Sequence, residues 1–343
     1  MVKKQAKAAP IRRATIKDVA ERAGVDPSLV SRIVNKKPNV GVSDVTRKRI
    51  LQAVVDLNYQ ANSAARVLKT SKTDMIGLLL PDIENPMYQS IVSGVEQRCA
   101  ERGLGLILGN YAQGESINHF TALIERGLVD GLLVASGTLT DNHLKEEILD
   151  KYENVVLVNR RVKSASPSVI LNDELGAALS VEHLVQVGAK FIAGIFGPPH
   201  IDTSQRRRKG FEDACKKAKV KHIFIDVPSW GMKSGLEATV RLLKKHPRPD
   251  AIFASTIMMG IGVLKAASQN KIDVPQDLKV VSLHDSSIAN FVTPSLSTVD
   301  MPNREMGIQA VDLLLRSIAG ERPAGVIVNT EPRLIVRESS RVF

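Results

Sequence analysis

Over the first sixty positions the apolar residues recur every three or four places. Ile16, Val19, Ala20 and Ala23 form one such series behind Thr15, a good N-cap, with Asp18 and Glu21 favouring the first turn. Gly24 closes this helix, and Asp26 caps a second one whose first position is Pro27, where the missing N–H costs nothing. Leu29, Val30, Ile33 and Val34 are expected to face inward, and Ser28, Ser31, Arg32 and Asn35 outward, so the pair reads as a helix-turn-helix. After a polar loop at 36–39, Ser43 caps a third helix over 44–57, with Val45, Ile50, Val54 and Leu57 expected to join the same small core.

From Met75 the pattern changes. MIGLLL, GLILGN, GLLVAS, VVLVNR, SVILN, FIAGIF, HIFID, AIFAS and KVVSLHD are short runs rich in Ile, Val and Leu, separated by helical stretches such as 87–102 and 175–187. Continuous apolar strands alternating with helices predict parallel sheets covered on both faces, a doubly wound α/β architecture. So many strands predict two sheets, and ligands of such folds bind beyond the carboxyl ends of the strands. The segment 62–69, NSAARVLK, lies between the two regions and is too short to be a stable helix alone, which from composition makes it a linker.

Charge separates the same two regions. The net +11 is concentrated in residues 1–74, with 16 Lys/Arg against 6 Asp/Glu, whereas the remainder carries 31 against 30. The head is therefore the part suited to a polyanion, and residues 1–13 read as a disordered basic tail. At 343 residues the chain can bury two or three cores. Cys99 and Cys215 have no CxxC or metal spacing and read as core residues in a reducing compartment. The start MVKKQAKAAPIRR has no hydrophobic segment of a signal peptide and no run approaches 18 apolar residues, so a cytoplasmic protein without a membrane partner is expected.

The pattern AxxAGV followed by the capped SLVSRIVN helix resembles the opening of the lactose-repressor/galactose-repressor family of transcription factors, and the resemblance continues to about Arg337. It implies an N-terminal all-α helix-turn-helix domain (14–60), a hinge helix and linker (61–73), and an effector-binding and dimerising α/β core (74–343) like the periplasmic binding proteins. That core would be two doubly wound parallel-sheet subdomains, about 74–171 with 301–328 and 172–300 with 329–343, joined by crossovers near Asn172, Asp300 and Asn329. The 62–69 segment matches the hinge helix that folds on operator DNA. Leu68 falls on the intercalating leucine, Ala65 on the small residue beside it, and Asn62 at its start.

Candidate DNA-contacting residues are thus Thr15, Pro27, Ser28, Ser31, Arg32, Asn35, Asn62, Ala65 and Leu68. The resemblance puts base reading at Pro27 and Ser28, of which Pro27 can offer only apolar contact. Leu29 replaces a threonine that commonly touches phosphate. Arg32 can present its planar fork to a guanine or bind phosphate, and both readings stand.

For the effector, the resemblance points to Met87, Tyr88, Arg207, Trp230, Thr256 and His284. Arg207 matches an arginine that holds ligand, or belongs to the solvated basic run 206–209. Trp230 stacks on ligand or sits in the core. Met87 and Tyr88 are lid residues or pack on a second copy. Two positions depart from the family: Thr256-Ile257 stands for Asn-Asp, and His284 precedes Asp285 where an aspartate is usual. The expected effector is a sugar, a sugar acid or another polar metabolite, and with Arg207 and His284 both facing the cleft one that carries a carboxylate or phosphate is expected; a core role for His284 is the other reading.

No P-loop, GxGxxG, GxSxG or HExxH is present, so neither an enzyme nor a cofactor or metal is indicated. The expected protein is a DNA-binding regulator, a repressor of a catabolic operon, acting as a homodimer on a palindrome because no heptad tail follows RLIVRESS. A regulator controlled by a partner protein stays open. A solute-binding protein does not fit the basic head, and an α/β oxidoreductase does not fit the lack of phosphate-binding glycines.

Overall fold

The computed structural model describes residues 14–34, 40–59, 72–111, 118–135, 137, 139–162, 167–245 and 248–341. The 1–13 tail, Asn35 and the hinge candidates Asn62, Ala65 and Leu68 lie outside the described residues. Contacts divide the chain after Thr73 into two units, each with its own core.

The first unit has three helices, α1 (Ile16–Ala23), α2 (Pro27–Val34) and α3 (Asp44–Asp56). Thr15 and Asp18 form a reciprocal capping box: the Asp18 carboxylate accepts from the Thr15 amide at 2.6 Å, and the Thr15 hydroxyl accepts from the Asp18 amide at 3.4 Å. Gly24 ends α1 in the left-handed conformation at φ 62°, which costs a glycine least. Asp26 accepts from the amide of Ser28 at 2.7 Å and so satisfies an orphan donor of α2, with Pro27 as its first residue. Val19, Ala20, Ala23, Val30, Ile33, Ile50 and Ala53 make the core.

One expectation fails here: Val45 is 76% exposed. It precedes Ile50 by five residues, about 140° around the helix, so the face that buries Ile50 and Ala53 turns Val45 to solvent.

The second unit holds two six-stranded sheets. The first contains β1 (Met75–Leu80), β2 (Gly105–Asn110), β3 (Gly131–Val134), β4 (Val155–Val158), β5 (Ser168–Ile170) and β11 (Val326–Ile327), in the order β11-β5-β4-β3-β1-β2, with every pair parallel. The second contains β6 (Phe191–Phe196), β7 (Lys221–Asp226), β8 (Ala251–Ala254), β9 (Lys279–Leu283), β10 (Ser297–Asp300) and β12 (Arg333–Ile335), in the order β12-β10-β9-β8-β6-β7. Only β12 runs antiparallel, against β10. Central strands such as β3, β4, β6 and β8 are buried throughout, which is why their sequences are unbroken apolar runs.

The chain leaves the first sheet after β5 and returns to it after β10. It passes once more to the second sheet between β11 and β12. On return it forms α11 (Asn303–Ile318), which packs against α4 (Pro86–Arg102). Glycines set this seam: a Cβ on Gly94 would lie 2.0 Å from the Arg304 carbonyl oxygen, and one on Gly307 2.4 Å from that of Ile91. Other helices used below are α7 (Asp173–Gln186), α8 (Asp202–Lys217), α9 (Met232–Leu243) and α10 (Ile257–Gln269); α5 (Asn118–Glu125) and α6 (Asp141–Leu144) complete the set. Cys99 on α4 and Cys215 on α8 are buried thiols, and burial pushes them up to about 11 and 12, so both stay protonated.

Candidate DNA interface and effector cleft

On α2, positions 28, 31 and 32 share one helical face by their i, i+3, i+4 spacing. Ser28 and Arg32 are exposed there and Ser31 is half-buried, while Val30 and Ile33 hold the opposite side to the core. Pro27 is half-buried and Thr15 is exposed, though its side chain is engaged in the cap of α1. Ser28 has a second task. Its hydroxyl, then its amide, hold the Asp26 carboxyl below its usual range, so part of its hydrogen-bonding capacity serves the start of the recognition helix.

In the second unit a cavity of about 470 Å³ lies where the carboxyl ends of the two sheets converge. Residues after β1 (Asp82, Glu84, Asn85, Met87, Tyr88), β4 (Asn159), β6 (Ile201, Thr203), β7 (Ser229, Trp230), β8 (Thr256, Ile257, Met258) and β9 (His284) line it, with Arg207 from α8. All six residues singled out from the sequence therefore share one cavity wall. Met87 and Tyr88 are 6% and 8% exposed and face this space, which leaves them little surface for a second copy. Burial raises the Tyr88 phenol well above its ordinary value, so it stays a hydroxyl.

Arg207 is buried, not solvated. Its Nε donates to Asp173 Oδ1 at 2.7 Å, Nη1 to the Ser255 carbonyl at 2.8 Å, and Nη2 lies 2.7 Å from His284 Nε2. Arg206 shares the other Asp173 oxygen and also donates to Asp202 at 3.0 Å. Burial pushes the Asp173 carboxyl up, but the two guanidiniums outweigh it and hold it below the usual carboxylate range. Two arginines are thus matched by two aspartates within one buried cluster.

His284 lines the cavity and is also fully buried. Burial, then the neighbouring Arg207 charge, pulls its imidazole down to about 3, so it is neutral and adds no cation to the cleft. With Arg207 already paired, and Asp82 and Glu84 exposed on the cavity lining, the surroundings do not call for an anion.

Trp230 is half-buried, packs against the core of the second sheet and lies 5.5 Å from the Arg207 guanidinium, a cation–π contact. It fits because position 197 is glycine: a Cβ there would sit 2.6 Å from the indole. Thr256 lines the cavity, but its hydroxyl caps α10, accepting from Met259 N at 3.2 Å, and donates to the Trp230 carbonyl at 3.1 Å.

The sequence reading missed Asn159, Asp173 and Thr203. Asn159 directly follows β4 with φ 60° and carries a buried side-chain oxygen without a hydrogen-bond partner among the described residues. Its carbonyl accepts from Thr203, and the Arg161 amide donates to Asp202 at 3.1 Å, which ties the first sheet's loops to α8. Its place directly after VVLV, at a strand's carboxyl end, was the available signal.

Residues 15–62 match the model for bacterial regulatory proteins of the lacI family, and residues 181–340 match the periplasmic binding protein-like domain. The ribose operon repressor of Halalkalibacterium halodurans is 31% identical over 328 residues, covering 95% of this chain and 97% of that protein. The chain belongs to the lacI family. Among other lacI-family relatives, the ribose operon repressor of Escherichia coli is 34% identical over 312 residues (89% of this chain, 93% of that one). The HTH-type transcriptional repressor PurR of Proteus mirabilis is 32% identical over 333 residues (95% and 96%). The fold also matches the lac repressor dimer bound to operator and the anti-inducer ONPF, with TM-score 0.81 at 24% identity, over 96% of this chain and all of that one. This lacI-family chain is accordingly a DNA-binding transcriptional regulator with an effector-binding core, not an enzyme.

Proposed function

We propose that the chain is a cytoplasmic repressor that binds a palindromic operator as a homodimer and is controlled by a small, uncharged polar molecule held in the cleft between the two sheets. The observation that carries this is the junction of Arg207, Trp230 and Asn159 on one cavity, with the charge of Arg207 already balanced by Asp173. Such a site offers directional donors, an aromatic face and an acceptor to a polar ligand, but no net positive charge to an anionic one. Relatives named as ribose operon repressors make a pentose the first candidate. Linkage then gives control: a ligand that prefers one arrangement of the two subdomains shifts the spacing of the paired hinge segments 62–69 and hence the entry of Leu68 into DNA.

The test pairs footprinting on a selected inverted repeat with a thermal-shift panel of neutral pentoses and hexoses, their phosphates and the corresponding sugar acids. Stabilisation by uncharged compounds, together with altered operator affinity, is expected. Stabilisation by the anionic members alone would remove the reading of the cleft, and equal binding to random duplexes would remove the reading of the head.

A further inference from the structure

We propose that His284 is a positioning residue: it acts on the effector through Arg207, not by touching it. The chemistry of the contact fixes its roles. A guanidinium has only donors, so the imidazole nitrogen 2.7 Å from Arg207 Nη2 must accept. Nε2 therefore carries no proton, and in the neutral ring the proton is on Nδ1. That atom lies 3.1 Å from the amide of Asn303. The Asn303 oxygen is buried without another partner among the described residues, and the amide orientation that turns this oxygen to Nδ1–H satisfies both groups.

The consequence is a fixed fork. Three N–H bonds of Arg207 are directed at Asp173, Ser255 and His284, which come from three different elements. The other two of its five have no hydrogen-bond partner among the described residues, and Arg207 lines the cavity. An aspartate at 284 could also accept from Arg207, but it would add a third carboxylate to a cluster that is already balanced. A neutral acceptor orients the guanidinium and leaves the charge count unchanged.

The ring is fully buried, and its backbone holds φ 67° at the end of β9, a conformation costly for a residue with a side chain and one that aims the imidazole back at α8. The charged groups facing it are Arg207 from α8 and Asp173 from α7. Asp173 opens α7 just after the chain first crosses between sheets, and Asn303 opens α11 just after it returns. Asp173, Arg207, His284 and Asn303 therefore form one hydrogen-bonded line from one crossover to the other, with the ligand-facing arginine inside it.

The assignment is tested on the full-length protein labelled with 15N-histidine. His284, identified by its absence in His284→Gln, should appear as the Nδ1–H tautomer and should not titrate between about pH 5 and 8. An Nε2–H tautomer, or titration in that window, overturns it. Crystal structures of His284→Gln and His284→Leu give the second readout. The Gln oxygen can replace Nε2 and keep the guanidinium on the Ser255 carbonyl, whereas with Leu the guanidinium should leave it. An unmoved Arg207 in the Leu variant defeats the proposal, and should that variant not fold, the tautomer and the Gln structure still decide.

The size of the effect rests on the effector reading of the cleft. With D-ribose as probe, Gln should keep affinity within about threefold and Leu should lose about tenfold or more. Equal affinity in the two variants counts against positioning. Failure of the wild-type protein to bind ribose counts against ribose as effector, while the tautomer and the guanidinium position still answer for His284.

Discussion

Asp173 shows how much one buried carboxylate can organise. It is fully enclosed and takes both Arg206 and Arg207, so Asp173→Asn should leave Arg206 on the partly exposed Asp202 and Arg207 buried without a carboxylate. Breaking a buried pair from one side costs about 3–5 kcal/mol, and the urea midpoint should fall accordingly without a change in slope. Protons act on the same core. His284, lowered to about 3, and His183, lowered by its burial, are neutral in the fold, whereas the unfolded chain protonates them below about pH 6.5. Stability should therefore be level above that pH and fall as the pH drops from 6.5 towards 3, by about 1.4 kcal/mol per pH unit for each excluded proton. His284→Gln should reduce the slope, and chemical denaturation at a series of pH values measures it. At the DNA face, Arg32→Ala should cost on the order of 1–3 kcal/mol and relax preference at one base pair per half-site; equal weakening on every sequence would make Arg32 a phosphate contact.

At the scale of elements, legibility followed periodicity. The apolar runs marked the strands correctly because a parallel strand buried on both faces must be apolar throughout, and the capped helices α1 and α2 followed from Thr15, Gly24 and Pro27. Val45 was misplaced because a single valine in the first turn of α3 says nothing about phase, which Ile50 and Ala53 set. Ile50→Ala should accordingly cost about 2–5 kcal/mol, and Val45→Ser at most about 0.5, by thermal unfolding of the head. Charge pairing was the illegible part of the cleft. Arg207 read as a ligand-holding arginine or as one cation in a basic run, and nothing local in RRRKGF shows that Asp173, 34 residues earlier, neutralises it. The glycine seam was equally silent. Gly94→Ala should force the backbones of α4 and α11 apart and cost about 1–3 kcal/mol or more, because the atom in the way is a carbonyl oxygen and not a flexible side-chain end.

For the whole molecule, the break after Thr73 separates a small helical core from a large α/β one. Residues 74–343 expressed alone should fold, keep the effector response and lose operator binding, as calorimetry and gel shift would show. Trp230 has one more implication. It is the chain's sole tryptophan, and its indole N–H, on the second sheet's side of the cleft, points at the Gly137 carbonyl on the first sheet's side at 3.4 Å. Parting the two lobes would release that N–H to water while the ring stays beside Arg207 on its own lobe, so native emission should shift in colour whenever the jaws open. The unlabelled protein thus carries an optical gauge of its own shape, and a stopped-flow fluorimeter could time effector-driven motion directly.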